Sequence, residues 1–312
     1  MNSTLKYLVI GVGGTGGCIG GYLARQAKNV TLIARGEHKK KMEERGLHIK
    51  TNEYGQIIIN PVNVKTSEEY NSTPDVIFIC VKYYSLPQII PFINRIAKED
   101  TIVIPILNVI SSGEELRKKC PNCVVLDGTI YVHGFIESPG VIVKPTSIFK
   151  ICYGFRKNQY HVFEGKITQL TKDLEESGIQ AIYTDTILKE EFKKFSFTGC
   201  IGITGVFLNK VAKDFKYEDY PKQILYQLVD EVGLLCHSLG ITFEESLQEH
   251  VQSILNQVLD DSTTSMQRDV NEGKISEMSG LLFNILDLAQ TSKVYLPTFT
   301  TIAAWVKSRD IK

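Results

Sequence analysis

The chain has 312 residues, enough for two ordinary domains and a sizeable core without disulfide staples. Lys plus Arg and Asp plus Glu number 35 each, so the formal charge is zero, and the positive field that a nucleic-acid or anionic-membrane binder uses is missing. With 43% hydrophobic and 22% charged residues, the composition also excludes an intrinsically disordered chain.

The N-terminus runs into an apolar β-type segment, residues 5–10, without a signal-peptide core. Residues 13–28 read as a helix, with Ile19, Leu23 and Ala27 spaced by four, and residues 30–34 as a second strand. Residues 76–81 and 101–107 are continuous apolar runs rich in β-branched side chains, as in strands buried on both faces of a parallel sheet, and 85–98 between them reads as helical. Residues 129–136, 140–143 and 147–153 read as shorter strands around a turn at Ser138-Pro139-Gly140, predicted to extend that sheet in antiparallel fashion. Residues 162–177 form an amphipathic helical pattern stopped by Gly178, and 179–183 closes the sheet region.

Beyond Thr186 only helical patterns remain: 187–207, 222–239, 242–259, 262–271, 276–289 and 298–308, with Gly240 and Gly273 placed to end two of them. The predicted organisation is α/β. A Rossmann-like N-terminal domain with a mostly parallel sheet, residues 1–185, precedes an all-helical C-terminal domain, residues 186–312. Residues 195–209, a stretch without a charge or His, fall short of the roughly 20 residues that span a bilayer. The seven scattered cysteines suit a reducing cytosol, which predicts a cytoplasmic protein. Cys120-Pro121-Asn122-Cys123 lacks the second ligand pair that zinc needs and reads as two incidental thiols, with a redox role left open. No metal site is expected.

Gly11-Val12-Gly13-Gly14-Thr15-Gly16 is a G-x-G-x-x-G that follows a predicted strand and opens a predicted helix, the context a dinucleotide-binding loop requires. Gly11 permits the tight turn, Gly13 a close approach to a pyrophosphate, and Gly16 close helix–strand packing. The anion, near Gly13, Gly14 and Thr15, then meets free N–H groups at the helix N-terminus. The second strand ends in Ala34-Arg35 rather than in the acid that binds an NAD ribose. A guanidinium there suits a 2′-phosphate, so the predicted cofactor is NADP.

From this point the chain resembles the ketopantoate reductase (2-dehydropantoate 2-reductase) family over nearly its whole length. Arg35-Gly36-Glu37-His38 is similar to the family's R-G-x-H, Val81-Lys82 to its V-K, and Leu107-Asn108 to its Q-N-G. Glu191-Phe192-Lys193-Lys194 resembles its W-x-K, and Ser265-Met266-Gln267-Arg268-Asp269-Val270 with Glu277 resembles its S-M-x-x-D-(I/V) and later T-E. The resemblance implies that Lys82 helps bind the NADP phosphate and that Asn108 contacts nicotinamide ribose and substrate. It further implies that Lys194 is the catalytic acid, that Ser265 meets the substrate carboxylate, and that Glu277 orients the lysine. The activity implied is reduction of a 2-oxo acid, ketopantoate, to pantoate for pantothenate and coenzyme A. Catalysis would sit between the two domains, with a small molecule as the only ligand partner, no nucleic acid or membrane, and room for a homodimer. Taken singly, Lys194 reads as a solvated helix lysine and Glu277 as a first-turn acid. Two family asparagines, four and eight residues after the lysine, are Thr198 and Gly202 here. Either ketopantoate is still reduced against a rearranged wall, with Thr198 facing the substrate and Asn209 or Thr204 helping, or the chain is a paralogue that reduces another 2-oxo acid, a bulkier one using the space at Gly202. A dinucleotide-binding sensor without turnover is the competing class.

Overall fold

The computed structural model describes residues 5–110, 112–156, 160–309 and 311. The chain forms two compact units, Met1–Leu107 with Ser112–Ile187, and Asn108–Ser111 with Leu188–Lys312.

In the first unit β1 (Lys6–Ile10) leads through the glycine loop to α1 (Gly14–Arg25), β2 (Asn29–Ile33) and α2 (Gly36–Arg45). A hairpin of β3 (Leu47–Thr51) and β4 (Gly55–Ile59) follows, then β5 (Val64–Lys65), β6 (Val76–Ile79), α3 (Leu86–Ile96), β7 (Ile102–Pro105), α4 (Ser112–Lys119) and β8 (Val124–Val125). The unit closes with β9 (Asp127–Val132), β10 (Phe135–Ser138), β11 (Val141–Lys144), β12 (Phe149–Gly154), α5 (Tyr160–Glu176) and β13 (Gln180–Tyr183).

Six strands in the order β5-β2-β1-β6-β7-β8 form an all-parallel sheet. This is the doubly wound order expected of a dinucleotide-binding sheet. Both of its faces are covered. Tyr7 and Val9 of β1 enter one core with Ile19 and Leu23 of α1, whereas Leu8 and Ile10 enter a second with Phe92 and Ile93 of α3. Such double burial is why these strands read as unbroken apolar runs.

The predicted antiparallel extension of this sheet is not what forms. The predicted 129–136 strand is cut at His133-Gly134, and its halves join different sheets. β9 pairs antiparallel with β12, which pairs parallel with β13. β10 pairs antiparallel with β11, which pairs parallel with β3 of the unpredicted hairpin. At the cut Gly134 lies against the distant Gly14, leaving no room for a Cβ at position 14.

The second unit holds α6 (Ile187–Leu208, from Leu188 on), α7 (Ala212–Tyr217), α8 (Asp219–Ser238), α9 (Leu247–Gln257), α10 (Ser265–Asn271), α11 (Met278–Thr291) and α12 (Pro297–Ser308). The predicted 242–259 helix starts only at Leu247. Ser246 and Glu249 form a capping box there, Ser246 Oγ accepting from Glu249 N–H at 3.1 Å and Glu249 Oε2 from Ser246 N–H at 3.2 Å. Gly240 and Gly273 follow α8 and α10 at φ +74° and +66°, the left-handed conformation that ends helices. The buried Glu231 carboxylate accepts from the Thr298 and Phe299 amides at 2.7 and 3.1 Å, satisfying the N-terminus of α12. Among the described residues no helix is long and apolar enough to cross a membrane.

Candidate active site

The first group of candidate residues lines the C-terminal edge of the parallel sheet. Gly11 follows β1 at φ +94°, and a Cβ there would lie 2.9 Å from Val81 Cγ1. Gly16 backs directly onto the Gly11 carbonyl. Gly13 differs: it is the N-cap of α1, and a Cβ on it would meet nothing within 4 Å. Gly11 thus makes the turn, Gly16 lets α1 pack directly on it, and the open Gly13 leaves space beside the helix N-terminus. Gly14 and the half-buried Thr15 begin α1, whose first turn carries no acid. Its free N–H groups and dipole suit an anion. This cradle fits a dinucleotide pyrophosphate.

Arg35 follows β2 as the N-cap of α2, in extended conformation and exposed. Lys82 follows β6, half-buried, as the N-cap of a 3-10 turn over Tyr83–Ser85. His38 Nδ1 accepts from the Gly140 N–H at 3.0 Å, tying the start of α2 to the β10–β11 turn. Burial lowers the pKa of this imidazole.

The second group lies in the other unit. Phe192 and Phe195 are buried on either side of Lys194 and anchor α6, Phe195 stacking on Phe299 of α12 at 6.4 Å. Lys194 stays half-buried and donates from Nζ to Asn108 Oδ1 at 2.9 Å. Asn108 in turn donates from Nδ2 to Glu277 Oε2 at 3.5 Å, the outer limit for such a bond. One amide therefore bridges an ammonium and a carboxylate, accepting from the first and donating to the second. Glu277 is the N-cap of α11 and only 3% exposed.

Ser265 is the exposed first residue of α10, and the preceding Thr264 caps that helix, its Oγ1 accepting from Gln267 N–H at 3.2 Å. The Thr264-x-x-Gln267 pattern announces this cap in the sequence. Thr198 is half-buried on α6, four residues after Lys194. Gly202 corrects the expectation of spare room: a Cβ there would lie 2.9 Å from Met266 Cε and 3.1 Å from Thr264 Oγ1. Thr204 and Asn209 do not extend the wall either. Thr204 is buried and donates to the Cys200 carbonyl, and Asn209 is exposed just past α6 at φ +53°.

Among the described residues no disulfide joins any of the seven cysteines. Burial pushes the Cys120 thiol up to about 11 and Cys123 up to about 12, the opposite of what an activated redox pair needs. Among the described residues no cluster of three or more His, Cys, Asp or Glu could hold a metal.

A doubly wound sheet with this glycine cradle, and an ammonium–amide–carboxylate array in a helical unit, define the class of dinucleotide-dependent oxidoreductases. More particularly, the chain belongs to the ketopantoate reductase family, oxidoreductases acting on CH–OH groups: residues 7–154 match Ketopantoate reductase PanE/ApbA and 186–310 its C-terminal counterpart. It is 26% identical over 305 residues to the uncharacterized oxidoreductase YkpB of Bacillus subtilis, covering 96% of this chain and 97% of that one. It is 25% identical over 310 residues to the 2-dehydropantoate 2-reductase of Pyrococcus horikoshii, covering 98% of both. The fold matches D-mandelate dehydrogenase in complex with NADH and anilino(oxo)acetate at a TM-score of 0.85, with 20% identity and 97% of both chains covered. It also matches the dimeric ketopantoate reductase of Staphylococcus aureus at 0.81, with 20% identity and 97% and 98% covered.

Proposed function

We propose that this protein is a cytoplasmic NADPH-dependent reductase of a 2-oxo acid, with ketopantoate as substrate and pantoate as product. The observation that carries the reading is the Lys194–Asn108–Glu277 array. In this reading residues 1–185 hold the dinucleotide and residues 186–312 act on the substrate. Gly11, Gly13, Gly14, Thr15 and Gly16 cradle the pyrophosphate, Arg35 and Lys82 take the NADP phosphate, and Asn108 reaches the nicotinamide ribose. When bound, NADPH supplies the hydride to the ketone carbon.

Lys194 does the complementary work as general acid, passing a proton from Nζ to the ketone oxygen as negative charge develops there. Asn108 holds that ammonium and contacts the substrate. Glu277 orients the pair through the Asn108 amide. Ser265 meets the substrate carboxylate, and Thr198 faces the rest of the molecule. The reading includes no metal, nucleic acid or membrane, and a homodimer is its natural assembly.

A second reading, reduction of a different 2-oxo acid, is favoured by the α6 face beyond Lys194. Thr198 offers a hydroxyl there, the Met266 methyl and Thr264 close Gly202, and the Thr264 hydroxyl is engaged by Gln267. That wall suits an unhydroxylated side chain, because a buried hydroxyl without a partner is penalised. Steady-state NADPH oxidation with ketopantoate and with its unhydroxylated analogues, using Lys194→Ala as control, separates the readings. Rapid ketopantoate turnover lost in the variant supports the first, and turnover of the analogues alone supports the second. Tight NADPH binding with no turnover of any 2-oxo acid returns the protein to the sensor class.

A further inference from the structure

The C-terminal edge of the six-stranded sheet carries one more cation than the proposed cofactor site uses. Lys65 ends β5, which pairs in parallel with β2 in the register Leu32↔Val64 and Ile33↔Lys65. The Ala34 N–H also donates to the Lys65 carbonyl at 3.0 Å, so the pairing continues to the residue before Arg35. Side-chain direction follows from this register. Ile33 enters the core that holds Leu8 and Ile77, and Ala34 packs against the opposite core. Arg35 is still extended, at φ −143° and ψ 166°, so alternation returns it to the Ile33 face. Lys65, opposite Ile33, shares that face. With strands about 4.8 Å apart and a two-residue advance of about 6.6 Å, the two long side chains can close on one phosphate.

The charges nearby sharpen the assignment. Lys39 Nζ is taken by Glu43 at 2.6 Å and Glu69 at 3.3 Å, and Lys41 by Glu44 at 2.8 Å and Glu37 at 3.6 Å. Glu69, the acid that could have neutralised Lys65, is turned onto the Thr66 N–H at 2.7 Å and onto Lys39. Among the described residues Arg35 and Lys65 enter no ion pair. Two uncommitted cations on adjacent strand ends of one face form a receptor for a dianion.

We infer that Lys65 is a further anchor for the 2′-phosphate of NADPH, so that cofactor selectivity is set by a β2–β5 pair of cations and not by Arg35 alone. The inference rests on the NADPH reading, and its test keeps the two separable. Binding is measured by calorimetry with 2′,5′-ADP and 5′-AMP, and by nucleotide fluorescence with NADPH and NADH, in the full chain. Lys65→Ala should weaken 2′,5′-ADP and NADPH roughly tenfold, as loss of one charge-assisted contact does. Binding of 5′-AMP and NADH should hold, which also reports that the variant is folded, and Lys65→Arg should keep the preference. Lys40→Ala removes the same formal charge from an exposed position on α2 and measures long-range attraction alone. A Lys65→Ala loss no larger than that of Lys40→Ala, while Arg35→Ala still abolishes the preference, overturns the role of Lys65 and leaves the NADPH reading standing. Equal binding of 2′,5′-ADP and 5′-AMP by the unmodified protein overturns both.

Discussion

The glycine cradle of the first unit and the lysine array of the second are built on opposite principles. The cradle is made of backbone: Gly11, Gly13, Gly14 and Gly16 work by what they lack, and the whole motif fits within one turn and the start of α1. The array is made of side-chain tips. Lys194 lies 86 residues from Asn108, which lies 169 residues from Glu277. A site of the first kind fails when atoms are added, and a site of the second kind fails when they are removed. Added atoms also act on stability, whereas a trimmed lysine tip acts mainly on chemistry.

Substitutions can break this contrast in order of expected effect. Lys194→Ala should lower kcat by about 10³-fold, the span of a general acid, while NADPH affinity stays within about twofold. A parallel collapse of NADPH binding would mean that the array holds cofactor and not chemistry. Gly16→Ala should cost about 2–3 kcal/mol of stability, because its Cβ meets the Gly11 carbonyl, a backbone atom with nowhere to move. Gly13→Ala, with empty space around the new methyl, should leave Tm unchanged and weaken NADPH at least about tenfold. Reversal of those two phenotypes, read by thermal melting and fluorescence titration, would dismantle the distinction between turn glycines and ligand glycine.

Arg35→Asp should weaken NADPH roughly 30-fold or more and NADH far less, since an exposed guanidinium paired with a phosphate is exchanged for a repelling carboxylate. Equal losses would sink the NADP assignment. Gly202→Asn must displace the Met266 methyl, the far end of a flexible side chain, and should cost only about 1 kcal/mol, with no gain in ketopantoate kcat/KM. An improved kcat/KM would show that Met266 yields to the amide. The smallest effect belongs to His38. Its Nδ1 accepts from Gly140 only when the ring is neutral, and burial lowers its pKa. Stability is therefore full above the unfolded value near 6.5 and falls as pH drops through the folded value. Denaturant titration at pH 7 and pH 5, with His38→Asn for comparison, checks the sign.

How much of this was legible in the sequence follows from the same contrast. The strands of the parallel sheet announced themselves because both faces are buried. The β3–β4 hairpin did not, although Leu47, Ile49 and Thr51 alternate inward, because His48 and Lys50 dilute the apolar signal. The strand break at His133-Gly134 is invisible locally, since its cause is a residue more than a hundred positions earlier. The glycine loop and Arg35 were readable as a contiguous motif. Lys194, Asn108 and Glu277 were nameable only through family spacing, and the Asn108 bridge only through the fold. Gly202 misled for a related reason: a missing side chain looks like space until Met266 fills it.

The contact between Gly14 and Gly134 reaches beyond geometry. A Cβ on Gly14 would strike the Gly134 carbonyl, and one on Gly134 would sit 3.0 Å from the Gly14 carbonyl and 3.2 Å from Cys18 Sγ. The obstruction at Gly14 is wholly main chain, so no second-site replacement can relieve it by shrinking a side chain, whereas at Gly134 the neighbours need yield by only a few tenths of an ångström and one of them is the Cys18 side chain. Only the first position lacks a compensatory route. In an exhaustive substitution library position 14 should be depleted to glycine alone with no rescuing double variant, while alanine at position 134 should be partly tolerated.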